Sequence, residues 1–236
     1  MNVYEIFNGN TIYHEYQPLY CLKDCNKIYA YEALLRNEAK INPDSVFKSA
    51  IQANILYKLD TISLQKAIAS YFLKQSNGYL FLNIYITTIL HPNFLLFFDS
   101  LCVLYPELPK RLFLEINETC ADDLWNIPLL NKSIKTLREF GVQFAIDDFG
   151  QGSTSIKRVI EFKPECIKLD RYFAQNLAKD EKKQRFLELF YTYYGSDTLL
   201  VLEGIEKHDD LLVAQQIGIA VGQGFYLGKP QALEVV

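Results

Sequence analysis

The stretch Phe144-Ala145-Ile146-Asp147-Asp148 is a short apolar run that ends in two carboxylates, and this pattern recurs along the chain. Six other apolar runs also end near a polar residue, and those residues are Glu32, Asn83, Glu115, Lys168, Glu203 and Gln223. Segments with helical character separate the runs, which indicates alternating strands and helices. With one further strand near the N-terminus, the pattern predicts an α/β protein of the TIM-like (β/α)8 barrel class.

The first two predicted strands differ from the others in how they are connected. Thr11–Leu22 and Ile28–Arg36 are joined through the tight turn Asp24-Cys25-Asn26, which is too short for a parallel crossover. We therefore expect an antiparallel first pair, whereas the later strands return through helices and should be parallel. A doubly wound open sheet is the alternative topology. That fold concentrates its ligands at one switch point, whereas the polar residues here follow seven different strands.

The composition limits the classes of partner. The 24 Lys and Arg residues and 28 Asp and Glu residues give a net charge of −4, and there is no basic block that would bind DNA. Apolar runs are too short to cross a bilayer, and residues 1–5 do not begin a secretory leader. Five scattered cysteines favour a reducing compartment. Since no linker divides residues 1–236, we expect one cytoplasmic domain without a membrane partner.

Each polar strand end also has an ordinary structural explanation when it is considered alone. Asp147 and Asp148 could cap a turn, Glu115 could be a solvated strand end, and Asn83 could satisfy buried backbone. Repetition at consecutive strand ends favours a shared acidic mouth instead, because gathered like charges are unfavourable without a cation. Oxygen donors suit Mg²⁺ or Mn²⁺ better than zinc, and the candidate ligands are Glu32, Asn83, Glu115, Asp147 and Asp148.

This donor set is typical of a two-metal phosphodiesterase acting on a small phosphorylated ligand. Two divalent ions can clamp a phosphate and activate a bridging water. Only three histidines are present, and none stands in a local pattern with a nucleophile, which disfavours Ser-His-Asp or Cys-His catalysis. Lys168 would orient the water or the developing oxyanion, and its alternative explanation is a buried structural salt bridge.

The strand-end residues occur within a series of motifs. Glu32-Ala33-Leu34, with Leu35-Arg36, resembles the namesake motif of EAL domains, the cyclic di-GMP phosphodiesterases of bacteria. The resemblance covers about residues 11–230 and continues in Gln17-Pro18, Leu82-Asn83, Glu115-Ile116-Asn117-Glu118, Asp147-Asp148-Phe149-Gly150, Ile167-Lys168-Leu169-Asp170-Arg171, Glu203-Gly204-Ile205-Glu206 and Gln223-Gly224-Phe225. Seven ordered motifs at appropriate spacing make the match specific.

The resemblance implies a barrel with an antiparallel first strand pair and cleavage of cyclic di-GMP to linear pGpG with two Mg²⁺ or Mn²⁺ ions. By motif, one metal would be bound by Glu32, Asn83, Glu115 and Asp147, and the second by Asp147 and Asp148. Lys168 and Glu203 resemble the residues that hold and activate the attacking water, and which of them is the general base stays open. Arg36 resembles the phosphate contact, Gln17 and Asp170 resemble guanine or substrate-side contacts, and Leu34 is a further matched substrate position. Glu206 and Gln223 are substrate-side positions that resemble supports for water or metal, and Glu118 resembles the anchor of the mobile loop after the fifth strand.

The sequence also departs from the family pattern. Gln151 and Ser153 replace a Thr and a Tyr in the loop that couples dimerisation to catalysis in the family, Asn37 replaces a Trp, and Leu202 replaces a small residue. None of these changes removes a predicted ligand, which favours an active enzyme. A non-catalytic cyclic di-GMP receptor and a protein-interaction module remain the alternatives. The family suggests a homodimer. Because no sensory module is evident in the sequence, we expect regulatory signals to act through oligomerisation or through a regulatory protein partner.

Overall fold

The computed structural model describes residues 11–74, 76–116, 128–150, 156–195 and 197–233, and its centre is a closed barrel of eight strands. Each strand is hydrogen-bonded to the next in chain order, and the last closes on the first. The strands are β1 (Ile12–Cys21), β2 (Ile28–Asn37), β3 (Tyr79–Ile84), β4 (Leu112–Ile116), β5 (Gln143–Phe149), β6 (Cys166–Leu169), β7 (Leu199–Leu202) and β8 (Val221–Gly222). This architecture confirms the predicted TIM-like barrel.

Strand β1 is antiparallel to both of its neighbours. It pairs with β2 from Ile12↔Asn37 to Tyr20↔Ile28, and with β8 at Tyr20↔Gly222 and Cys21↔Val221. The other neighbouring pairs, from β2–β3 to β7–β8, are parallel. The short turn after β1 dictates this arrangement, because it leaves no room for a crossover helix. The predicted antiparallel first pair is therefore confirmed.

Helices connect the parallel strands around the outside of the barrel. They are α1 (Pro43–Gln52), α2 (Leu56–Leu73), α3 (Ile86–Ile89), α4 (Phe94–Leu104), α5 (Pro128–Phe140), α6 (Ile156–Phe162), α7 (Arg171–Ala174), α8 (Glu181–Tyr194) and α9 (His208–Ile217). Helix α1 begins at Pro43, because the Asn42 side chain accepts a hydrogen bond from the Asp44 amide and proline suits the first turn of a helix. No helix in the described part of the chain is long and apolar enough to cross a membrane.

The helical region that follows β6, over residues 171–194, is divided in the structure. Helix α7 ends after one turn, a 3₁₀ turn follows at Leu177–Lys179, and α8 begins at Glu181. Two residues explain the break. Asn176 adopts a left-handed conformation with φ of 56°, and the Asp180 carboxylate accepts hydrogen bonds from the first-turn amides of α8. The short α7 keeps the residues that follow β6 close to the barrel mouth.

One buried side chain from each strand fills the interior of the barrel. These eight residues form a single packed cluster that consists of Leu19, Ala30, Phe81, Phe113, Ala145, Cys166, Val201 and Val221. Phe81 and Phe113 stack with their ring centroids 4.3 Å apart. Neighbouring strand residues point outward and pack against the helices, as Ile167, Leu169 and Leu200 do on one side. The interior is therefore a solid apolar plug, and it forms the floor of any site at the barrel mouth.

Candidate metal and substrate site

A ring of polar residues lies one step above the apolar plug. On every strand, the residue two positions nearer the mouth than the plug residue is polar, and side chains two positions apart lie on the same face of a strand. This polar ring consists of Gln17, Glu32, Asn83, Glu115, Asp147, Lys168, Glu203 and Gln223. The seven strand-end residues singled out in the sequence thus belong to one ring, and Gln17 of β1 completes it.

Lys168 is the central cation of the polar ring. Its Nζ lies within ion-pair distance of four carboxylates, namely Glu115 at 2.7 Å, Glu203 at 2.8 Å, Asp147 at 3.1 Å and Glu32 at 3.2 Å. Burial by itself lowers the pKa of Lys168, but the surrounding carboxylates outweigh burial and hold that pKa well above its ordinary value. The ammonium group is therefore charged, and it holds together four acids contributed by four strands.

One ammonium group does not satisfy all of the acids. Burial, reinforced by neighbouring carboxylates, raises the pKa of Glu115 in spite of Lys168. Burial likewise raises the pKa of Glu203 to about 8, against the opposing effect of Lys168. Asp147 Oδ1 and Glu115 Oε1 have no aligned hydrogen bond, although both lie within ion-pair distance of Lys168. A divalent cation would stabilise these charges, so the donor set fits a metal site.

The clearest group of metal-binding atoms is formed by Asp147, Asp148 and Glu203. One carboxylate oxygen from each lies within 4.8 Å of the others. Consecutive strand residues normally point to opposite faces, yet Asp148 has a left-handed φ of 54° and the β5–β6 register shifts between Ile146 and Phe149. This local irregularity brings two successive carboxylates to one mouth, and such backbone strain clusters at functional sites. Burial and Asp147 raise the pKa of Asp148 to about 6.

Two amide side chains hold carboxylates of the polar ring in place. Gln223 donates from Nε2 to Glu32 Oε2 at 2.7 Å, and Asn83 donates from Nδ2 to Glu115 Oε2 at 3.2 Å. The Asn83 and Glu115 positions face each other in the β3–β4 register, which explains their contact. With its nitrogen directed to Glu115, Asn83 would offer a metal its carbonyl oxygen. The Gln223 contact fits a supporting position beside the predicted ligand Glu32.

Two cavities open beside the polar ring and share Asp148 and Arg171 in their walls. The first cavity, of about 150 Å³, contains the predicted residues Gln17, Glu32, Asp170, Glu203, Glu206 and Gln223. The second, of about 430 Å³, contains the predicted residues Leu34, Arg36, Asn83 and Asp147. Sequence reasoning missed the outer wall of the second cavity, which α1 and α2 supply through Asp44, Phe47, Asp60 and Ser63.

Several predicted substrate residues already have protein partners. Gln17 donates to the Gly228 carbonyl at 3.0 Å, and Asp170 accepts from the Tyr172 amide at 2.8 Å as the N-cap of α7. Arg36 donates to Glu15 at 2.8 Å in a partly exposed ion pair. The predicted loop anchor Glu118 lies outside the described residues, as does the altered loop that contains Gln151 and Ser153. Among the residues that the structure describes, all of the predicted site residues lie in the polar ring or in the walls of the two cavities.

Comparison with known families identifies the class of protein. The profile described as "EAL domain" matches residues 2–230. The chain belongs to the EAL domain family.

Curated relatives carry names that describe an activity. The "Cyclic di-GMP phosphodiesterase PdeA" of Borreliella burgdorferi is 26% identical over an alignment that covers 94% of this chain and 38% of the relative. The "Cyclic di-GMP phosphodiesterase PdeF" of Escherichia coli is also 26% identical, with 86% of this chain and 28% of the relative covered. The chain therefore spans well under half the length of these curated relatives.

Solved structures match the barrel closely. The BlrP1 protein of Klebsiella pneumoniae, determined as a manganese/cy-diGMP complex, has a TM-score of 0.83 and 24% identity and covers 94% of this chain and 57% of its own. The EAL domain protein of Listeria monocytogenes EGD-e has the same TM-score with 21% identity, covering 98% of this chain and 94% of its own. At these identities the likeness establishes the fold.

Proposed function

We propose that this chain hydrolyses one phosphodiester bond of cyclic di-GMP to give linear pGpG, using two Mg²⁺ or Mn²⁺ ions. The observation that carries the proposal is the polar ring, in which the carboxylates of Glu32, Glu115, Asp147 and Glu203 converge on Lys168 above a closed barrel floor. The family membership and the names of the relatives give the same substrate. The structural neighbour determined as a manganese/cy-diGMP complex supports both the ligand and the type of metal.

The metal ligands in this proposal come from four strands. Glu32, Asn83, Glu115 and Asp147 would hold one ion, and Asp147 with Asp148 would hold the second. The clustered oxygens of Asp147, Asp148 and Glu203 support the second position. When bound, the ions would neutralise the phosphate and lower the pKa of a water molecule.

Lys168 and Glu203 have different roles toward the attacking water in this proposal. Because four carboxylates keep Lys168 protonated, its ammonium group serves to orient an attacking water and to stabilise negative charge. Glu203 has a pKa raised to about 8, mainly by burial, and its Oε1 lies 2.8 Å from Lys168 Nζ. Of these two groups, the Glu203 carboxylate is the one that can accept a proton while Lys168 stays protonated. We therefore assign the general base to Glu203.

The remaining predicted residues would bind the substrate. Gln17, Asp170 and Glu206 lie in the wall of the first cavity, and Leu34 and Arg36 lie in the wall of the second. Gln223 supports Glu32 through its hydrogen bond. Glu118 keeps its proposed role as a loop anchor from its sequence motif alone.

Product analysis tests the proposed function. The purified protein is incubated with cyclic di-GMP and Mn²⁺ or Mg²⁺, and products are separated by chromatography. We expect pGpG from the wild type and none from Glu32→Gln, which keeps the size of the side chain but removes a proposed metal ligand. Glu38→Gln, an exposed change just after β2, is the matched control and should be fully active. If the wild type forms no product, saturable binding would indicate a receptor, and no binding would indicate an interaction module.

We also propose a homodimer. Helix α6 follows the altered loop and exposes Ile156 and Ile160, whose side chains are 59% and 48% accessible. Apolar side chains on one helix support burial against a second copy or against a regulatory protein partner. Sedimentation of the wild type and of Ile156→Glu would show whether this helix binds a second copy of the chain. Loss of a dimer in the variant supports self-association, whereas a monomeric wild type contradicts it.

The single-domain organisation of residues 1–236 and a cytoplasmic location complete the proposal. The barrel uses strands from Ile12 to Gly222, so the described residues contribute to one closed fold. Cys21, Cys25, Cys102 and Cys166 are free thiols, which suits a reducing compartment. Fractionation of cells that express the tagged protein would test the location.

A further inference from the structure

Arg171 stands at the junction of the two cavities. It is the first residue of α7, directly after the N-cap Asp170 and three residues after Lys168. Among the described residues, Arg171 and Asp148 are the two that line both the first and the second cavity. A ligand that occupies both cavities at once must therefore pass beside the Arg171 side chain.

The guanidinium group of Arg171 is free to bind a ligand. Within the described ranges it makes no hydrogen bond or ion pair, and the residue is exposed. Arg36, the other described arginine in the cavity walls, is engaged by Glu15 at 2.8 Å. No described lysine lines either cavity. Among the described residues that line the two cavities, Arg171 is thus the cation whose charged group has no protein partner, in a cleft that is rich in carboxylates.

Local packing restrains the stem of Arg171. Gly204 has a left-handed φ of 71°, and a Cβ atom placed on it would overlap Cβ of Arg171. Glycine at this position therefore allows the loop after β7 to pack against the side-chain stem of Arg171. The stem is restrained while the guanidinium group remains unpaired, which is the arrangement expected of a preorganised anion-binding side chain.

The charge of the substrate requires a cation at this junction. The ring of cyclic di-GMP alternates two riboses and two phosphates, and each ribose carries one guanine base. A molecule with a base in each cavity would therefore carry its phosphates across the divide. The metal ligands lie toward the polar ring and would neutralise the phosphate that is cleaved. The second phosphate would lie beside cavity walls that carry several carboxylates, where a positive charge makes binding more favourable.

We infer that Arg171 binds the phosphate of cyclic di-GMP that is not cleaved, and that it thereby selects ligands long enough to span both cavities. This inference rests on the proposed function, because it takes the same substrate and the same site. It assigns Arg171 to affinity and not to the bond-breaking step. Loss of its charge should raise KM and leave kcat nearly unchanged.

Steady-state kinetics of three variants tests this inference. Arg171→Met removes the charge, Arg171→Lys retains it, and Arg185→Met is a matched control on the exposed face of α8, where Arg185 pairs only loosely with Glu181. We expect Arg171→Met to raise KM roughly tenfold to a hundredfold, with kcat within about threefold of the wild type. Arg171→Lys should recover part of the affinity. The dependence of KM on salt should be weaker for Arg171→Met than for the wild type.

Each alternative result has a definite meaning. Equal KM values for Arg171→Met and Arg185→Met, or no recovery in Arg171→Lys, would overturn the phosphate assignment. A fall in kcat with unchanged KM would overturn it as well, because that pattern belongs to a residue acting in the reaction step. If the wild type does not hydrolyse cyclic di-GMP, the same variants are titrated for binding, and the enzyme proposal fails separately. A wild type that neither binds nor cleaves would reject both.

Discussion

Nζ of Lys168 lies 2.7 Å from Oε1 of Glu115, and these side chains are 1% and 0% accessible to solvent. Three more carboxylates surround the same ammonium group within 3.2 Å. Removing one partner from a buried ion pair leaves an uncompensated charge, which is more damaging than losing an exposed salt bridge. Lys168 therefore supports the fold of the barrel mouth as well as the proposed chemistry.

Replacing Lys168 with methionine should destabilise the metal-free protein and abolish hydrolysis. The free energy of unfolding should fall by about 3–5 kcal/mol near neutral pH, because the surrounding carboxylates lose their shared cation. Urea denaturation without metal measures this change. Lys182→Met, an exposed substitution on α8, is the control and should remain within about 0.5 kcal/mol of the wild type. Equal stability of the two variants would show that Lys168 does not hold the acids together.

Mn²⁺ should raise the melting temperature of the wild type, since a ligand that binds only the folded state stabilises it. Asp148→Asn should weaken Mn²⁺ binding roughly tenfold or more, because it removes a charge from the group formed with Asp147 and Glu203. Asp99→Asn, on the exposed side of α4, should bind Mn²⁺ as the wild type does. Calorimetric titration gives the affinities. Identical affinity in Asp148→Asn would remove this residue from the metal site.

Metal affinity should increase as the pH is raised from 6 to 8.5. The pKa values of Asp148 and Glu203 are raised to about 6 and about 8, mainly by burial, so protons compete with the ion below these values. Acids with raised folded-state pKa values contribute stability at low pH that is lost as the pH rises through those values. The metal-free protein should accordingly melt at lower temperature at pH 8.5 than at pH 6. Saturating Mn²⁺ should remove that loss, and a metal-free protein that melts higher at pH 8.5 would contradict the assignment.

Asp60, which is not a proposed metal ligand, provides a second pH-dependent effect. Burial raises its pKa to about 7, and its Oδ2 accepts a hydrogen bond from the Tyr85 amide at 3.1 Å. The folded protein therefore loses stability between the unfolded pKa near 4 and pH 7, as the buried carboxyl must ionise. Asp60→Asn keeps an acceptor oxygen for the Tyr85 amide without this ionisation. Its stability relative to the wild type should rise from pH 4 to pH 7, by roughly 4 kcal/mol at most. Asp99→Asn should differ from the wild type in stability by the same amount at every pH from 4 to 7. The same behaviour in Asp60→Asn would contradict the raised pKa of Asp60.

Much of the site could be predicted from sequence because strand geometry has a period of two. In seven successive strands, a polar residue follows two positions after a buried one. The same spacing in every strand places these polar residues at one level of the barrel, where they form a common ring. The short turn between β1 and β2 then predicts that this first strand pair is antiparallel. Residues such as Glu32, Glu115 and Lys168 could therefore be selected before their contacts were known.

Features outside the strands could not be predicted in the same way. Arg171 is the first residue of the one-turn helix α7, and its position in the walls of both cavities depends on the path of the chain after β6 and on the close approach of Gly204. The ion pair between Arg36 and Glu15 depends on the β1–β2 register, in which their Cα partners are Tyr13 and Leu34. The outer wall of the second cavity depends on how α1 and α2 pack, which apolar spacing does not specify. Glu118 lies outside the described residues, so its proposed role as a loop anchor rests on the sequence motif alone.

The most direct test of the account is metal reconstitution of cyclic di-GMP hydrolysis. The protein is stripped with a chelator, dialysed, and titrated with Mn²⁺ while pGpG formation is followed. We predict no product from the stripped protein and activity that rises with added Mn²⁺ until two ions are bound per chain. Hydrolysis at full rate without metal, or none at saturating Mn²⁺, would contradict the conclusion that the polar ring is a metal-dependent phosphodiesterase site.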